Sequence, residues 1–384
     1  MNAVIRRGLF KVGLSFLAIS GTTGCHSQEK ERMDFEDYNP RSTLVVPEHI
    51  VTRAKFPFVD IHNHQWSMPS QDLRELIVPM DTLNMAVMNN LSGRGYRSVN
   101  DQFDIQDGDY LKRTMANIRA SYPRRFTVFT NISFIGFGKK GWIEKAVREL
   151  ETDVRNGASG LKLYKDYGME FRDSAGKLIH INDPRMNPIW EKCAALHIPV
   201  LIHSGDPASF WEPMDKNNER WLELKLHPDR KRSNSDPGPW KQIMEEQHAL
   251  FRSHPGTIFI AAHFGWLANN LEALGKLLDE CPNLNVELAA IISDLGRQPR
   301  AAKAFFEKYQ DRILFGKDSW VPSEYTTYFR VLETEDEYFP YHKKYHAFWR
   351  MYGLGLPDAI LKKVYYKNAL RLVPGIDKTL FPDQ

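Results

Sequence analysis

The stretch PFVDIHNH, residues 57–64, joins an apolar, β-rich run to two histidines at its end. Seven more short β-rich runs follow it, and longer segments of helical pattern separate them, which is the rhythm of βα units around a parallel sheet. The predicted strands are residues 57–62, 83–90, 126–133, 159–164, 199–204, 257–263, 285–290 and 312–318. Eight strands in this alternation predict an α/β protein built as a (β/α)8 barrel.

Helical patterns lie between these strands. The clearest are residues 141–156, 183–197, 269–280 and 300–309. Asp183 and Pro184 provide an N-cap followed by proline at the first helical position. After the eighth strand, aromatic-rich helices are predicted around residues 341–352 and 358–372, where they would close the barrel.

A long polar loop insertion follows the fifth strand, from His203 to a helix near Gln242. Functional loops of a barrel follow its strands, so this insertion is expected to cover the active-site mouth as a lid. A solvated surface excursion is the alternative.

Composition and charge exclude several classes of protein. Hydrophobic residues make up 42% of the chain and charged residues 26%, which favours a globular body over disorder. The first 24 residues carry Arg6, Arg7 and Lys11 but no acid, and the remainder is balanced at 48 basic and 48 acidic residues. This balance argues against a nucleic-acid partner.

Cys193 and Cys281 lie in helical patterns and are predicted to be buried thiols.

Residues 1–24 are predicted to be a lipoprotein signal peptide: a basic start, an apolar run over residues 9–19, and small residues before Cys25. Gly24-Cys25 resembles the end of a bacterial lipobox, so Cys25 is the predicted lipidation site, although Thr22 stands where leucine is usual. An uncleaved anchor or an ordinary signal peptide is the alternative. Arg6-Arg7 is also compatible with twin-arginine export.

This leader sets the predicted organisation of the whole chain. Residues 25–50 would form a tether and residues 51–384 the barrel. The protein is expected to be exported, as a periplasmic or outer-membrane lipoprotein of a Gram-negative bacterium, and to contact the membrane through its N-terminal lipid. The sequence leaves the oligomeric state open, a homodimer included.

Four histidines and one aspartate fall at the ends of predicted strands. His62 and His64 are two residues apart on the first strand and therefore point the same way. His203, His263 and Asp318 end strands five, six and eight. A barrel collects its active site at the carboxyl ends of its strands, so these side chains are expected to converge as a catalytic metal site. Each histidine taken alone could instead satisfy a hydrogen bond in the core.

Five motifs carry a family resemblance: VDIHNH (59–64), IHSGDP (202–207), AAHFG (261–265), LFGKDS (314–319) and YYKNALRLV (365–373). They resemble the amidohydrolase-related family of TIM-barrel metal-dependent hydrolases, a group that includes aminocarboxymuconate-semialdehyde decarboxylase and several lactonases. The resemblance spans Phe58 to Val373. It implies a divalent metal, zinc or manganese, bound by His62, His64, His203 and Asp318. It also implies that Asp318 accepts a proton and that His263 is a catalytic acid/base or electrostatic residue.

Lys162 ends the fourth strand, where some amidohydrolases carry a carboxylated lysine that bridges two metals. Carboxylation would make His263 a ligand of a second ion. One metal is favoured, with Lys162 a plain catalytic-site lysine that contacts substrate or a neighbouring acid. Glu287, on strand seven, is a candidate for supporting the ligands.

Substrate contacts are predicted from the loops. A guanidinium fork can clamp a carboxylate, and a Gly-rich loop after the second strand carries two arginines. The candidates are Arg94, Arg97, Trp66 and Lys165, with Tyr164, Trp211 and Arg220 as further wall residues. The predicted reaction is hydrolysis of an amide, lactone or ester bond of a small, carboxylate-bearing or neutral substrate. Non-oxidative decarboxylation and ligand binding without catalysis are the alternatives.

Overall fold

The computed structural model describes residues 32–99, 102–106, 109–343 and 349–382. The predicted signal peptide, the lipidation site Cys25 and tether residues 26–31 lie outside these ranges. Contacts divide the chain into residues 1–42 and 43–384. In the first unit, the described residues form a turn at residues 35–37; the second unit contains all the strands and helices given below. The search for membrane-spanning helices, limited to the described ranges, found none of sufficient length and hydropathy.

Eight parallel strands form the central sheet. They are β1 (Phe58–Asn63), β2 (Met85–Asn90), β3 (Phe126–Thr130), β4 (Gly160–Leu163), β5 (Val200–Ile202), β6 (Phe259–Ala261), β7 (Leu284–Glu287) and β8 (Ile313–Leu314). Each strand pairs with the next in chain order. The edges meet where the Ile61 amide donates to the Phe315 carbonyl at 3.0 Å and the Asp318 amide donates to the His62 carbonyl at 2.7 Å. The predicted (β/α)8 barrel is confirmed, and each predicted strand overlaps an observed one.

The strands are buried along their length because helices cover the barrel from outside. The α-helices are α1 (Arg74–Leu83), α2 (Tyr110–Ser121), α3 (Trp142–Arg155), α4 (Asn187–Ala195), α5 (Trp221–Leu226), α6 (Trp240–Ser253), α7 (Leu271–Glu280), α8 (Ile292–Gly296), α9 (Pro299–Tyr309), α10 (Tyr325–Glu333), α11 (Asp358–Lys362) and α12 (Asn368–Leu372). A π-helical turn, Lys363–Lys367, joins the last two.

Local sequence signals explain several helix starts. The Asp183 carboxylate accepts a hydrogen bond from the Arg185 amide, which caps the 3-10 turn Pro184–Met186 ahead of α4. The Asn270 side chain caps α7 by accepting from the Ala273 amide. Cys193 and Cys281 are free and buried, as predicted.

One helix prediction was wrong. The described part of residues 341–352 contains no helix; instead Arg350–Met351 pairs with Phe339–Pro340 as an antiparallel hairpin. Among the described aromatic residues of this segment, Tyr341 is buried and Trp349 packs against the core, and both lie outside regular secondary structure. A second small hairpin, Arg97–Val99 with Gln102–Asp104, follows β2.

The insertion after β5 is mostly irregular. Between Ile202 and Trp240 it contains the 3-10 turns Ala208–Phe210 and Pro228–Arg230, with α5 between them. Because it leaves the barrel at the carboxyl end of β5, it lies beside the predicted site residues.

Candidate metal centre

Three ligand atoms converge where β1 meets β8. His62 Nε2 lies 3.5 Å from Asp318 Oδ1, and His64 Nε2 lies 3.6 Å from the same oxygen. These atoms are within 4.8 Å of one another. The two imidazoles face one point because His62 lies on β1 and His64 directly follows its last residue, and side chains two residues apart in extended chain point the same way.

The second nitrogen of each imidazole is already engaged. His62 Nδ1 donates to Glu287 Oε1 at 2.9 Å, and His64 Nδ1 is hydrogen-bonded to the Ser92 hydroxyl at 2.8 Å. Such bonds to the outer nitrogen set the tautomer and leave Nε2 as the ligand atom. Both Nε2 atoms therefore point to Asp318 with a lone pair available.

Glu287 organises the floor of the site from the end of β7. Besides His62, its carboxylate accepts from the His263 amide at 2.8 Å and from the Ala289 amide at 2.6 Å. Glycine is required opposite it, because a Cβ on Gly316 would come within 2.2 Å of Glu287 Oε2. Glu287 was predicted to support the ligands, and it hydrogen-bonds both the His62 ring and the His263 backbone amide.

His203 and His263 form a second pair beside this cluster. His263 Nδ1 donates to the Ala289 carbonyl at 2.7 Å, so that its Nε2 can accept from His203 Nδ1 at 3.4 Å. His203 Nε2 is then an unprotonated, buried atom, and within the described ranges it has no hydrogen-bond partner. His203 is not in the tight group of His62, His64 and Asp318. The ring centroids of His263 and His62 are 5.1 Å apart.

A left-handed turn positions His263. His263, Phe264, Gly265 and Trp266 all have φ between 54° and 58°, a conformation that costs non-glycine residues about 1–2 kcal/mol each. The turn brings the Trp266 indole onto the His263 ring, with centroids 4.6 Å apart and planes at 27°. Trp266 Nε1 also donates to the Gly205 carbonyl at 2.9 Å, which links β6 to the insertion. Strain of this kind concentrates at functional sites.

Asp60 connects the two strands that carry the ligands. Its Oδ1 accepts from the His62 and Lys317 amides, each at 3.1 Å, and its Oδ2 accepts from the Tyr325 hydroxyl at 2.6 Å. Burial raises the pKa of Asp60 to about 6. Sequence reasoning missed this residue, although it stands two positions before His62 in the same motif.

The charge states of the cluster suit a cation. Burial lowers the pKa of His62 well below its ordinary value and that of His64 to about 4, so both are neutral at pH 7. Burial by itself raises the pKa of Asp318, but the surrounding histidines lower it by more, and the pKa lies below its ordinary value. Neutral imidazoles and an ionised carboxylate are the forms that ligate divalent metals. The residues therefore fit a metal ion.

Lys162 lies inside the barrel at the end of β4 and is 1% exposed. Its pKa is lowered to about 8, chiefly by burial, which Asp318 and Glu287 partly oppose. Among the described residues its Nζ finds no hydrogen-bond partner. Its Nζ lies 5.7 Å from the centre of the Tyr164 ring, and burying an ammonium group without hydrogen bonds is costly.

A cavity of about 170 Å³ opens beside the cluster of His62, His64 and Asp318, and Asp318 is part of its lining. It is lined by His203, His263, Asp318, Lys165, Asp206, Pro207, Phe210, Arg220, Glu223, Arg230, Trp266, Ala290, Tyr341 and Lys343. Half of the lining residues belong to the insertion. Tyr341 and Lys343 follow the hairpin strand Phe339–Pro340. Arg230 lies in the basic run HPDRKR, residues 227–232, within the insertion.

The four predicted substrate-binding residues differ in their position relative to the cavity. Lys165 lines the cavity and binds both oxygens of Asp206, at 3.0 and 3.2 Å. Trp66 is 41% exposed and stacks on the His64 ring at 5.5 Å. Arg94 is buried against Asp153 at 3.0 Å, and Arg97 pairs with Asp104 at 2.9 Å. Neither arginine lines the cavity above His203, His263 and Asp318.

Comparison with known proteins agrees with this geometry. A family model described as amidohydrolase matches residues 59–375. A solved structure from Staphylococcus aureus, whose protein was assigned as an amidohydrolase, has a TM-score of 0.51 at 15% identity. The match covers 82% of this chain and 99% of the Staphylococcus aureus chain. A TIM-barrel protein of Bordetella bronchiseptica, Bb4693, has a TM-score of 0.50 at 14% identity, covering 82% and 97%. At these identities the likeness shows the fold. No curated protein matches the sequence significantly.

Proposed function

Because the chain belongs to the amidohydrolase family, and is thus a metal-dependent enzyme of the amidohydrolase superfamily, we propose that it hydrolyses an amide, lactone or ester bond of a small molecule. The observation that carries the proposal is the convergence of His62 Nε2 and His64 Nε2 on Asp318 Oδ1, because Asp318 also lines a small cavity. His263 stands beside them, so a proton acceptor and a potential proton donor share one site.

The proposed ligands are His62, His64, His203 and Asp318, and the proposed ion is zinc, with manganese as the alternative. Support for His203 comes from its buried, unprotonated Nε2, which has no hydrogen-bond partner among the described residues. When bound, such a cation lowers the pKa of a coordinated water and polarises a substrate carbonyl.

The chain's own groups supply the proton transfers. Asp318 is ionised and partly exposed to the cavity, so it can accept the proton of an attacking water. His263 lines the cavity and holds its Nδ1 proton on the Ala289 carbonyl, and its second nitrogen, Nε2, faces His203 Nδ1 at 3.4 Å. Once protonated there, His263 can stabilise a developing oxyanion or protonate the leaving group.

We propose one metal ion with Lys162 unmodified. Its burial, with no hydrogen-bond partner for Nζ among the described residues, would also suit a carboxylated lysine, which would hold a second ion together with His263. Intact-protein mass and metal content distinguish the two. An added mass of one CO2 at Lys162, together with two ions per chain, would contradict the single-metal proposal.

The reaction itself is tested in ¹⁸O-labelled water. Metal-loaded protein is incubated with a library of amides, lactones, esters and carboxylic acids, and products are analysed by mass spectrometry. Hydrolysis places ¹⁸O in the acid product. Release of CO2 without ¹⁸O incorporation would replace hydrolysis with decarboxylation, and metal retention without any turnover would support a binding protein.

We also propose that the protein is an exported lipoprotein anchored through Cys25. The support is the basic, apolar and small-residue order of residues 1–24. Cys25→Ala should move the protein from the membrane fraction to the soluble fraction, whereas the buried Cys193→Ala should not. A Cys25→Ala protein that stays in the membrane fraction would contradict lipidation.

A further inference from the structure

We propose that the insertion after β5 carries an anion subsite, in which Arg220 and Arg230 bind a carboxylate of the substrate remote from the bond that reacts. This inference rests on the proposed function, because it requires the cavity to be the substrate site. It replaces the carboxylate clamp that the sequence suggested at Arg94 and Arg97.

The first support is one carboxylate shared by two guanidinium groups. Glu223 Oε1 pairs with Arg230 Nη1 at 2.7 Å, and Glu223 Oε2 pairs with Arg220 Nη1 at 2.8 Å. Glu223 and Arg220 are 5% and 6% exposed, so the arrangement is built into the fold. All three residues line the cavity that contains His203, His263 and Asp318.

The second support is the charge of another part of the lining, around Asp206, which repeats this pattern. Asp206, 3% exposed, is held by Lys165 at 3.0 Å and by Arg232 at 2.8 Å. At both points two basic groups share one buried acid. Apart from Asp318, the cavity lining contains four basic residues, Lys165, Arg220, Arg230 and Lys343, and two acids, Asp206 and Glu223. The wall therefore favours an anion.

The third support is that Arg220 is fixed in place. Its guanidinium lies 5.5 Å from the centre of the Trp349 ring and 3.6 Å from Asp294. Asp294 neutralises it only in part, because Asp294 also accepts a hydrogen bond from Arg297 at 2.8 Å. A guanidinium group has five N–H donors in a planar fork that matches a carboxylate. A prearranged fork loses little entropy on binding, which favours recognition.

The test is a binding measurement that needs no turnover. Calorimetry with the full-length, zinc-loaded protein compares benzene-1,3-dicarboxylate with benzoate. One carboxylate can reach the metal end of the cavity, and only the dicarboxylate has a second one for the subsite. We expect the dicarboxylate to bind at least tenfold more tightly than benzoate.

Two variants locate the effect. Arg230→Gln should remove most of this tenfold advantage and change benzoate affinity less than twofold. Arg220→Gln should do the same, and its melting temperature shows whether it remains folded. The control is Arg252→Gln, because Arg252 is half-exposed on α6, pairs with Glu280 and is outside the cavity. It should leave both affinities unchanged.

Three outcomes would overturn the subsite: no binding of the dicarboxylate to the wild-type protein, equal affinity for the two probes, or equal losses for both probes in Arg230→Gln. These outcomes are separable from failure of the proposed hydrolysis. A protein that discriminates between the probes through Arg230, yet hydrolyses nothing in the library, keeps the subsite and loses the reaction.

Discussion

The two sides of the barrel mouth differ in backbone and in chemistry. On the side of β1 and β4, the rings of His64, Trp66 and Tyr164 stack within 6.0 Å of one another, and their backbone stays outside the left-handed region. On the side of β6 to β8, His263, Ala290 and Asp318 all have positive φ. Ordinary strand geometry is enough to present a flat aromatic wall. Turning a polar side chain back over the end of its own strand requires a strained backbone.

This difference suggests that the two sides of the barrel mouth have different functions. The strained side holds the groups that would exchange protons, and the insertion places charged residues next to it. The relaxed side offers apolar surface and the imidazoles of β1. Substitutions on the strained side should therefore affect turnover first, and their effects should decrease with distance from Asp318.

The largest effect is expected from Asp318→Asn. The amide retains the shape but loses the charge that draws a cation to His62 and His64 and the basic oxygen that accepts a proton. Turnover should fall by about 10³-fold or more, and bound zinc, measured by elemental analysis, should decrease. Asp311→Asn, on an exposed residue that pairs with Lys363, is the control. Full activity in Asp318→Asn would remove the metal-centre interpretation.

Glu287→Gln should have the next largest effect. The amide is a weaker acceptor for His62 Nδ1 and for the His263 backbone amide, so the His62 ring and the backbone that positions His263 are held less firmly. Partners of metal ligands usually contribute 10- to 100-fold in metal affinity or activity, and a zinc dissociation constant raised by about this factor is expected. Competition with a chelator measures it, with the exposed Glu272→Gln as the control. An unchanged zinc affinity would show that Glu287 serves only the fold.

Trp266→Phe tests the strained turn more gently. Phenylalanine keeps part of the stacking on His263 but loses the hydrogen bond to the Gly205 carbonyl, which is worth about 1 kcal/mol. We expect kcat to fall by about tenfold or less while zinc content stays at the wild-type level. A loss of zinc equal to that of Glu287→Gln would mean that the turn supports the ligands rather than His263.

The smallest effect is expected from Gly265→Ala, which adds a methyl group at a φ of 58°. The added cost is about 1–2 kcal/mol, because L-residues are strained in the left-handed region. Denaturant unfolding measures it. Gly256→Ala is the matched control, since its Cβ would meet Ala194 at an ordinary 3.9 Å and its φ is not positive. Equal stability of the two variants would mean that the turn is not strained.

Much of the site could be predicted because it depends on regular periodicity. The alternation of strand and helix patterns predicted the barrel, and the positions of His62, His64 and Asp318 at strand ends predicted that these three side chains lie close together. Arg94 and Arg97 could not be placed this way. Their roles depend on Asp153 and Asp104, partners that only the folded chain brings to them. A loop arginine has the same local sequence whether it faces a substrate or a buried acid.

The sequence by itself determined the order of the strands, the metal-capable residues and their common edge of the barrel, because strand and helix periods are local properties. Only the tertiary structure decided that His263 turns through a left-handed backbone, that Glu287 stands between two imidazoles, and that the cavity is walled by the insertion. These features come from contacts between segments far apart in the chain, whose combined packing outweighs the local cost of the strained turn.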